Sequence, residues 1–154
     1  MKPAENATDR AAVRGEPTMY IVASLLGAFV IDRFVYSLPF QPRWIGWGFV
    51  AIGIVGALIC HLQFRRIGES ANTWTSSAVV KSGPYSFSRN PMYIMDLVLQ
   101  IGVSMLLGTW WGIVMLVPSW LMLQNWAVLP EEAYLERKLG KEYSDYRDRV
   151  RRWI

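Results

Sequence analysis

The sequence predicts an all-α integral membrane protein with about four transmembrane helices and a C-terminal amphipathic helix. Apolar residues make up 53% of the 154 residues, and they lie in long blocks, which is typical of membrane spans rather than of a soluble globule. Short turns or polar segments separate the blocks. The last polar segment repeats its apolar residues at intervals of three and four, which predicts a helix lying along the membrane face.

The first part of the chain predicts a tail and two spans. Residues 1–17 are polar and mixed in charge, which predicts a disordered tail rather than a signal peptide. Residues 18–64 contain a first span, from Thr18 to Leu38, and a second, from Trp44 to Phe64. Asp32 and Arg33 are neighbours and do not face each other on a helix, so we interpret them as interfacial anchors. Glycines at helical spacing along the second span predict close packing against another helix.

A polar connection (67–82) and a hinge (83–93) follow, near the start of the region at 65–154. Gly83-Pro84 predicts a turn. Asn90-Pro91 predicts a helix start, with Asn90 as the N-cap and Pro91 in the first helical position. Free backbone N–H groups beside Arg89 would suit an anionic group such as a carboxylate. The alternative is a loop that only caps a membrane helix.

Two further spans are predicted, from Met92 to about Leu107 and from Trp110 to Leu129, joined by a tight turn. Asp96 lies one turn inside the third span. An acid there is either functional or a residue that complements the helix dipole. Pro118 predicts a kink in the fourth span, and Pro130-Glu131-Glu132 predicts its end. The amphipathic helix follows.

Lysine and arginine predict the topology. They concentrate in the N-terminal tail, in the long connection with its hinge, and in the residues from Arg137 to Arg152. With four spans these three regions lie on one side, and the positive-inside rule makes that side cytoplasmic, including both termini. The charges are therefore interpreted as topology determinants, and no nucleic-acid partner is predicted.

Several classes of chemistry have no motif in this sequence. It has one histidine and one cysteine, so neither a metal site nor an internal disulfide is predicted. A Gly-rich phosphate loop and a plausible Ser-His-Asp set are absent as well. What remains on the cytosolic face is a set of helix N–H groups, carboxylates and aromatic rings, which suits a zwitterionic ligand with a ring system.

The second half resembles a known family. The elements that carry the resemblance are Val79-Val80-Lys81-Ser82-Gly83-Pro84-Tyr85, Arg89-Asn90-Pro91-Met92-Tyr93, Glu131-Glu132 and Gly140-Lys141-Glu142-Tyr143 through Arg149-Val150. Their order and spacing resemble the isoprenylcysteine carboxyl methyltransferase family, which is related to the membrane phospholipid methyltransferases. The resemblance covers roughly residues 64–154.

The resemblance implies S-adenosyl-L-methionine as cofactor and a methyltransferase core in residues 65–154. It implies a lipidic or small apolar methyl acceptor, in contact with membrane lipids of a bacterial or archaeal inner membrane. Glu131, Glu132 and Asp96 are candidate bases for an acceptor that must lose a proton. The implied cofactor-binding residues are Ser77, Ala78, Val79, Val80, Tyr85, Arg89, Asn90, Pro91, Met92, Tyr93 and Glu131.

Two positions depart from the family pattern. Asn90 stands where the family has histidine, which keeps hydrogen bonding but removes histidine acid–base chemistry. Ala127 stands where the prenylcysteine enzymes have an arginine for the substrate carboxylate, which argues against that substrate. A non-catalytic membrane protein that uses the same fold for partner binding is the alternative hypothesis.

Overall fold

The structure is a computed structural model, and it describes residues 13–66 and 79–154. Most of the predicted tail, the greater part of the long connection, and Ser77 and Ala78 lie outside these ranges. In the described residues the chain is helical, with two isolated β-bridges and no strand. The helices are α1 (Pro17–Phe34), α2 (Ile45–Arg66), α3 (Pro91–Leu107), α4 (Trp111–Val114), α5 (Leu116–Met122), α6 (Leu129–Leu139) and α7 (Lys141–Arg147).

The all-α membrane architecture is confirmed. Three helical runs are long and apolar enough to cross a membrane, namely Pro17–Phe34, Ile45–Gln63 and Trp111–Leu139. The shorter α3 is also apolar, and its 17 residues extend about 25 Å at 1.5 Å per residue. That length is slightly less than the ~30 Å hydrocarbon core. Gly108 ends α3 in a left-handed conformation, with φ of 76°, which favours glycine.

The helices α2 and α3 approach each other closely along a line of glycines. A Cβ added at Gly102 would lie 2.6 Å from the backbone nitrogen of Val50, and one added at Gly46 would lie 2.6 Å from the carbonyl oxygen of Gly102. A Cβ at Gly53 would lie 3.0 Å from Leu99. The predicted role of these glycines in helix packing is therefore seen at the α2–α3 contact.

The fourth span continues beyond its predicted end. The helical run extends from Trp111 to Leu139, so the prediction that Pro130 ends it was wrong. Residues Leu123–Val128 form π-helical turns between α5 and α6. Proline cannot donate to the carbonyl four residues earlier, and here that carbonyl, on Trp126, accepts the backbone N–H of Arg14 at 3.1 Å instead. An outside donor thus allows the helix to pass through Pro130.

The predicted kink at Pro118 has a counterpart a turn earlier. The helix is interrupted at Met115, between α4 and α5. Pro118 has no N–H for the carbonyl of Val114, and its ring crowds that carbonyl. The interruption therefore lies one residue after the group that the proline ring displaces.

The C-terminal amphipathic segment is two helices rather than the predicted one. Gly140 separates α6 from α7 with φ of 53° and ψ of −123°, a conformation that side chains disfavour. The break turns α7 so that Tyr143 and Tyr146 are buried. A pattern of apolar residues at three and four continues across Gly140, which is why the sequence alone predicted one helix.

Asp32 organises the end of the molecule opposite to the hinge. Its Oδ1 accepts hydrogen bonds from the Leu38 backbone at 3.0 Å and from the Thr109 hydroxyl at 2.8 Å. The Trp110 backbone donates to the carbonyl of Leu38 at 2.9 Å. Asp32 thus joins the turn after α1 to the turn after α3, in addition to its predicted interfacial position.

Candidate functional site

The start of α3 is bound by residues 149–154, which we call the C-terminal segment. Asn90 occupies the N-cap position as predicted, but its side chain makes no capping bond. Its Nδ2 donates instead to the carbonyl of Arg152 at 2.9 Å. The Arg89 backbone donates to the carbonyl of Arg151 at 2.9 Å. The hinge and the end of the described chain therefore form one unit.

Glu132 is the centre of charge in this unit. Arg152 donates two hydrogen bonds to its carboxylate, from Nη2 at 2.8 Å and from Nε at 3.1 Å. Arg89 Nη2 lies 3.3 Å from Glu132 Oε1. Only 8% of Glu132 is exposed. Paired and hydrogen-bonded charges of this kind are tolerated inside proteins, and this one holds α6, the hinge and the C-terminal segment together.

The Arg89 guanidinium is incompletely satisfied. Its side chain is 9% exposed. Its Nε and Nη1 atoms are buried and have no hydrogen-bond partner within residues 13–66 and 79–154. Buried polar groups nearly always have partners, and an exception calls for an explanation. A guanidinium in this state is suited to donate hydrogen bonds to an anionic ligand.

Tyr93 and Glu131 form a second buried contact beside it. The Tyr93 hydroxyl donates to Glu131 Oε1 at 2.9 Å. Tyr93 also packs in an apolar core with Tyr20, Ile21 and Leu123. The core fixes the phenol ring, and the phenol orients the carboxylate.

Three buried tyrosines complete the site. Burial raises the pKa of Tyr85 and of Tyr143 above the ordinary range, and it raises the pKa of Tyr146 to about 12. The Tyr146 hydroxyl donates to the carbonyl of Tyr85 at 2.7 Å. All three phenols are therefore neutral hydrogen-bonding groups at neutral pH. We call the whole set the polar cluster: Tyr85, Arg89, Tyr93, Glu131, Glu132, Tyr143 and Tyr146.

The predicted cofactor residues fall into two groups. Arg89, Tyr93 and Glu131 belong to the polar cluster, as does Tyr85. Val80, Tyr85 and Met92 pack with Cys60 of α2 in a small apolar core. Pro91 is buried, and Val79 is partly exposed. The two groups meet at Tyr85.

Asp96 lies apart from the other predicted acids. It faces the Cys60 side of α3, and it makes no hydrogen bond or ion pair with the described residues. The structure brings Glu131 and Glu132 together at one place and leaves Asp96 outside the polar cluster.

A cavity of about 500 Å³ opens on the other side of the C-terminal segment. We call it the C-terminal cavity. Its walls combine apolar side chains with hydroxyl and guanidinium groups. They include Ser88, Ile94, Met95, Arg149, Arg151 and Trp153.

Sequence reasoning missed the role of Arg152 and Trp153. Arg152 was counted among the topology charges, yet it binds Glu132 and, through its carbonyl, Asn90. Trp153 Nε1 donates to Gln124 at 2.8 Å. A buried acid pair needs a counter-charge, so Glu131-Glu132 was a signal that one of the basic residues must turn inward.

Comparison with known proteins gives the family. The sequence model for phospholipid methyltransferase matches residues 41–142, about two thirds of the chain. The chain belongs to the phospholipid methyltransferase family. It is therefore a member of a family of membrane methyltransferases, and the resemblance read from the motifs is confirmed. The family match includes α2, which carried no motif in the sequence analysis, as well as the hinge, α3 and Glu131-Glu132.

One bacterial relative supports the match without adding an activity. Over 66 residues, the chain is 33% identical to an uncharacterized protein of Haemophilus influenzae. The aligned part is 41% of this chain and 100% of that protein. No solved structure matches the chain.

Proposed function

We propose that the protein is an S-adenosylmethionine-dependent methyltransferase that acts on a lipidic acceptor at the cytosolic face of the membrane. The observation that carries this proposal is the buried Arg89 guanidinium, which keeps two donor atoms unused within the described chain. It lies in the family-matched region, beside the Tyr93–Glu131 pair and at the start of α3.

The residues of the polar cluster fit the proposed cofactor. Its carboxylate would pair with Arg89, whose Nε and Nη1 are available in the described structure, and the N-terminus of α3 favours negative charge at the same place. Glu131 would meet a hydroxyl or amine of the cofactor. Tyr85 and Met92 would supply apolar contact. Val79, Val80, Asn90 and Pro91 would shape or support the pocket, and Ser77 and Ala78, outside the described residues, remain part of the proposal.

S-adenosylmethionine, when bound, supplies an electrophilic methyl group, and its transfer leaves S-adenosylhomocysteine. The protein's contribution is mainly orientation and exclusion of water. Glu131, held by Tyr93, is positioned to accept the proton that an amine acceptor loses. Glu132 has both oxygens engaged by arginines, so it positions Arg89 and the C-terminal segment. Asp96 stays a second candidate base on the α2 side.

The surroundings of Ala127 bear on the acceptor. Ala127 is fully buried and packs in the core with Tyr20 and Leu123. A long charged side chain would not fit there without rearrangement. This supports an acceptor other than a prenylcysteine carboxylate.

The proposal is tested by cofactor binding in nanodiscs. We expect saturable binding of radiolabelled S-adenosylmethionine to the parent protein. Arg89→Gln should weaken that binding by about tenfold or more, because a buried hydrogen bond to a charged group contributes roughly 1.5–3 kcal/mol. Incubation with labelled cofactor and a membrane extract should then yield a labelled lipid.

Arg137→Gln is the matched control. Arg137 is an exposed arginine on α6, so its loss should leave cofactor affinity at the parent value. Absence of saturable binding in a parent protein that is helical by circular dichroism would overturn the enzyme reading. It would favour the non-catalytic alternative.

A further inference from the structure

Two arginines share the Glu132 carboxylate, and they share it unequally. Arg152 Nη2 donates to Oε2 at 2.8 Å, and Arg152 Nε lies 3.1 Å from Oε1 and 3.2 Å from Oε2. A guanidinium that meets a carboxylate through two of its nitrogens makes the strongest contact such a pair can form. Arg89 reaches one oxygen only, because its Nη2 lies 3.3 Å from Oε1. Arg152 is therefore the principal partner of Glu132, and Arg89 is the secondary one.

This division of the carboxylate determines which donors of Arg89 stay available. A guanidinium pairs with a carboxylate side-on through Nε and Nη2 or end-on through Nη1 and Nη2, so both arrangements include Nη2. In Arg89, Nη2 already lies at Glu132, while Nε and Nη1 are buried without a partner in the described parts of the chain. If Glu132 turned to pair with Arg89 through both oxygens, it would therefore occupy one of these two donors.

The balance of charge leads to the same result. Two guanidinium groups and one carboxylate leave one positive charge among the three side chains. The side chains of Arg89 and Glu132 are 9% and 11% exposed, and charges buried to this extent are weakly screened by salt and water. Without Arg152, Arg89 and Glu132 would neutralise each other, and the attraction of Arg89 for an anionic ligand would fall.

The backbone of the C-terminal segment holds Arg152 in this position. The Arg152 carbonyl accepts hydrogen bonds from Asn90 Nδ2 at 2.9 Å and from the Ser88 hydroxyl at 3.3 Å. Ser88 and Asn90 are the two sequence neighbours of Arg89. The short segment that carries Arg89 therefore also fixes the residue that competes with it for Glu132.

We propose that Arg152 is a positioning residue of the candidate site, which occupies Glu132 and thereby keeps the Arg89 guanidinium available for the carboxylate of the cofactor. This inference rests on the proposed methyltransferase function and adds a residue to the same site. Arg152 acts through Glu132 and Arg89, and it does not touch the cofactor itself.

The experiment compares two ligands on the full chain in nanodiscs. One is S-adenosylmethionine, and the other is its decarboxylated form, which keeps the sulfonium, ribose and adenine but lacks the carboxylate. Arg152→Gln should weaken binding of S-adenosylmethionine by about fivefold, less than the loss of Arg89 itself, because Glu132 then occupies only part of the guanidinium. The affinity for the decarboxylated form, measured by competition, should stay within about twofold of the parent value. A general loosening of the fold would weaken both ligands alike.

Arg147→Gln is the matched control. The Arg147 side chain is 38% exposed and pairs with Glu136 at 2.7 Å, and the Arg152 side chain is 37% exposed. Loss of this equally exposed arginine should leave both affinities at the parent value. Arg152→Lys should restore most of the lost affinity, because its ammonium still pairs with Glu132. If Arg152→Gln fails to fold, Arg152→Met keeps the apolar stem without the charge and carries the same expectation.

The two proposals fail in different ways. If removal of the Arg152 charge weakens both ligands equally, or weakens neither, the inference is overturned, while saturable binding by the parent leaves the proposed function intact. If the parent itself shows no saturable binding of S-adenosylmethionine, the proposed function is overturned and the inference with it.

Discussion

At the residue scale, one carboxylate holds the candidate site together. Glu132 joins three segments that are far apart in sequence, because Arg89 comes from the hinge and Arg152 from the C-terminal segment. Removing one member of a buried charge network leaves its partners without compensation. Glu132 is therefore a structural residue of the site, whereas Glu131 is held by a phenol and keeps a chemical role in the proposal.

Glu132→Gln should destabilise the protein by roughly 2–3 kcal/mol, since two guanidinium groups lose a charged partner. The measurement is thermal unfolding in detergent, followed by circular dichroism. Glu136→Gln is the control, because Glu136 pairs with Arg147 at 2.7 Å on the exposed surface. Exposed pairs contribute less than about 1 kcal/mol. Equal losses in the two variants would contradict the assignment.

The buried phenol of Tyr146 makes the stability of the fold depend on pH in the alkaline range. Burial raises its pKa to about 12, above the ~10 expected in the unfolded chain. The neutral phenol therefore stabilises the fold fully below about pH 10, and this contribution is lost as the pH rises through about 12. Tyr146→Phe should flatten the fall of unfolding temperature across that range. An unchanged slope would show that Tyr146 is not the titrating group.

At the element scale, the α2–α3 contact depends on backbone approach rather than on side-chain size. The surrounding elements then place the hinge. α3 starts beside the end of α2, and the helical run from Trp111 to Leu139 carries Glu131 and Glu132 to the same level. A helical run of 29 residues extends about 44 Å, which is longer than the apolar core of the bilayer. Its last turns therefore extend beyond the apolar core.

Gly102→Ala should destabilise the helix pair by about 1–3 kcal/mol, because the new methyl group would meet backbone atoms at Val50 and Gly46 that cannot move aside cheaply. Gly48→Ala is the matched change on α2, where the added methyl meets nothing. It should be neutral or stabilising by up to about 1 kcal/mol. Thermal unfolding of the two variants in the same detergent compares them. Tolerance of Ala at 102 would mean that the contact is looser than described.

At the scale of the whole molecule, the two ends have different chemistry. The end with Asp32 and Thr109 carries few charges, whereas the end with the hinge, α6 and α7 carries most of the arginines and lysines. This asymmetry supports the predicted orientation, with the polar cluster and the termini in the cytosol.

The orientation is tested with single cysteines in a Cys60→Ala background. Lys141→Cys should react with a membrane-impermeant maleimide only after the inner membrane of spheroplasts is permeabilised. Trp44→Cys, which is 72% exposed at the opposite end, should react in intact spheroplasts. Reversed labelling would invert the topology and would place the site away from cytosolic cofactors.

Much of the fold and part of the site could be predicted from the sequence. The spans, the helix start at Asn90-Pro91 and the sidedness of the charges depend on local properties, namely the length of apolar runs, proline geometry and charge counts. The end of the fourth span could not be predicted, because the carbonyl that Pro130 leaves without its usual donor accepts the Arg14 backbone N–H, from a segment distant in sequence. The break at Gly140 was hidden by an apolar pattern that continues through it.

The sequence by itself determined the membrane class, the family and the residues Arg89, Tyr93 and Glu131-Glu132 as candidates, because each depends on composition or on motifs of nearby residues. Only the tertiary structure decided which of those acids is held by arginines and which by a tyrosine. It also decided that Arg152 turns inward to Glu132. The physical reason is that ion pairs and packing across distant segments depend on how helices approach each other, and local patterns do not specify that approach.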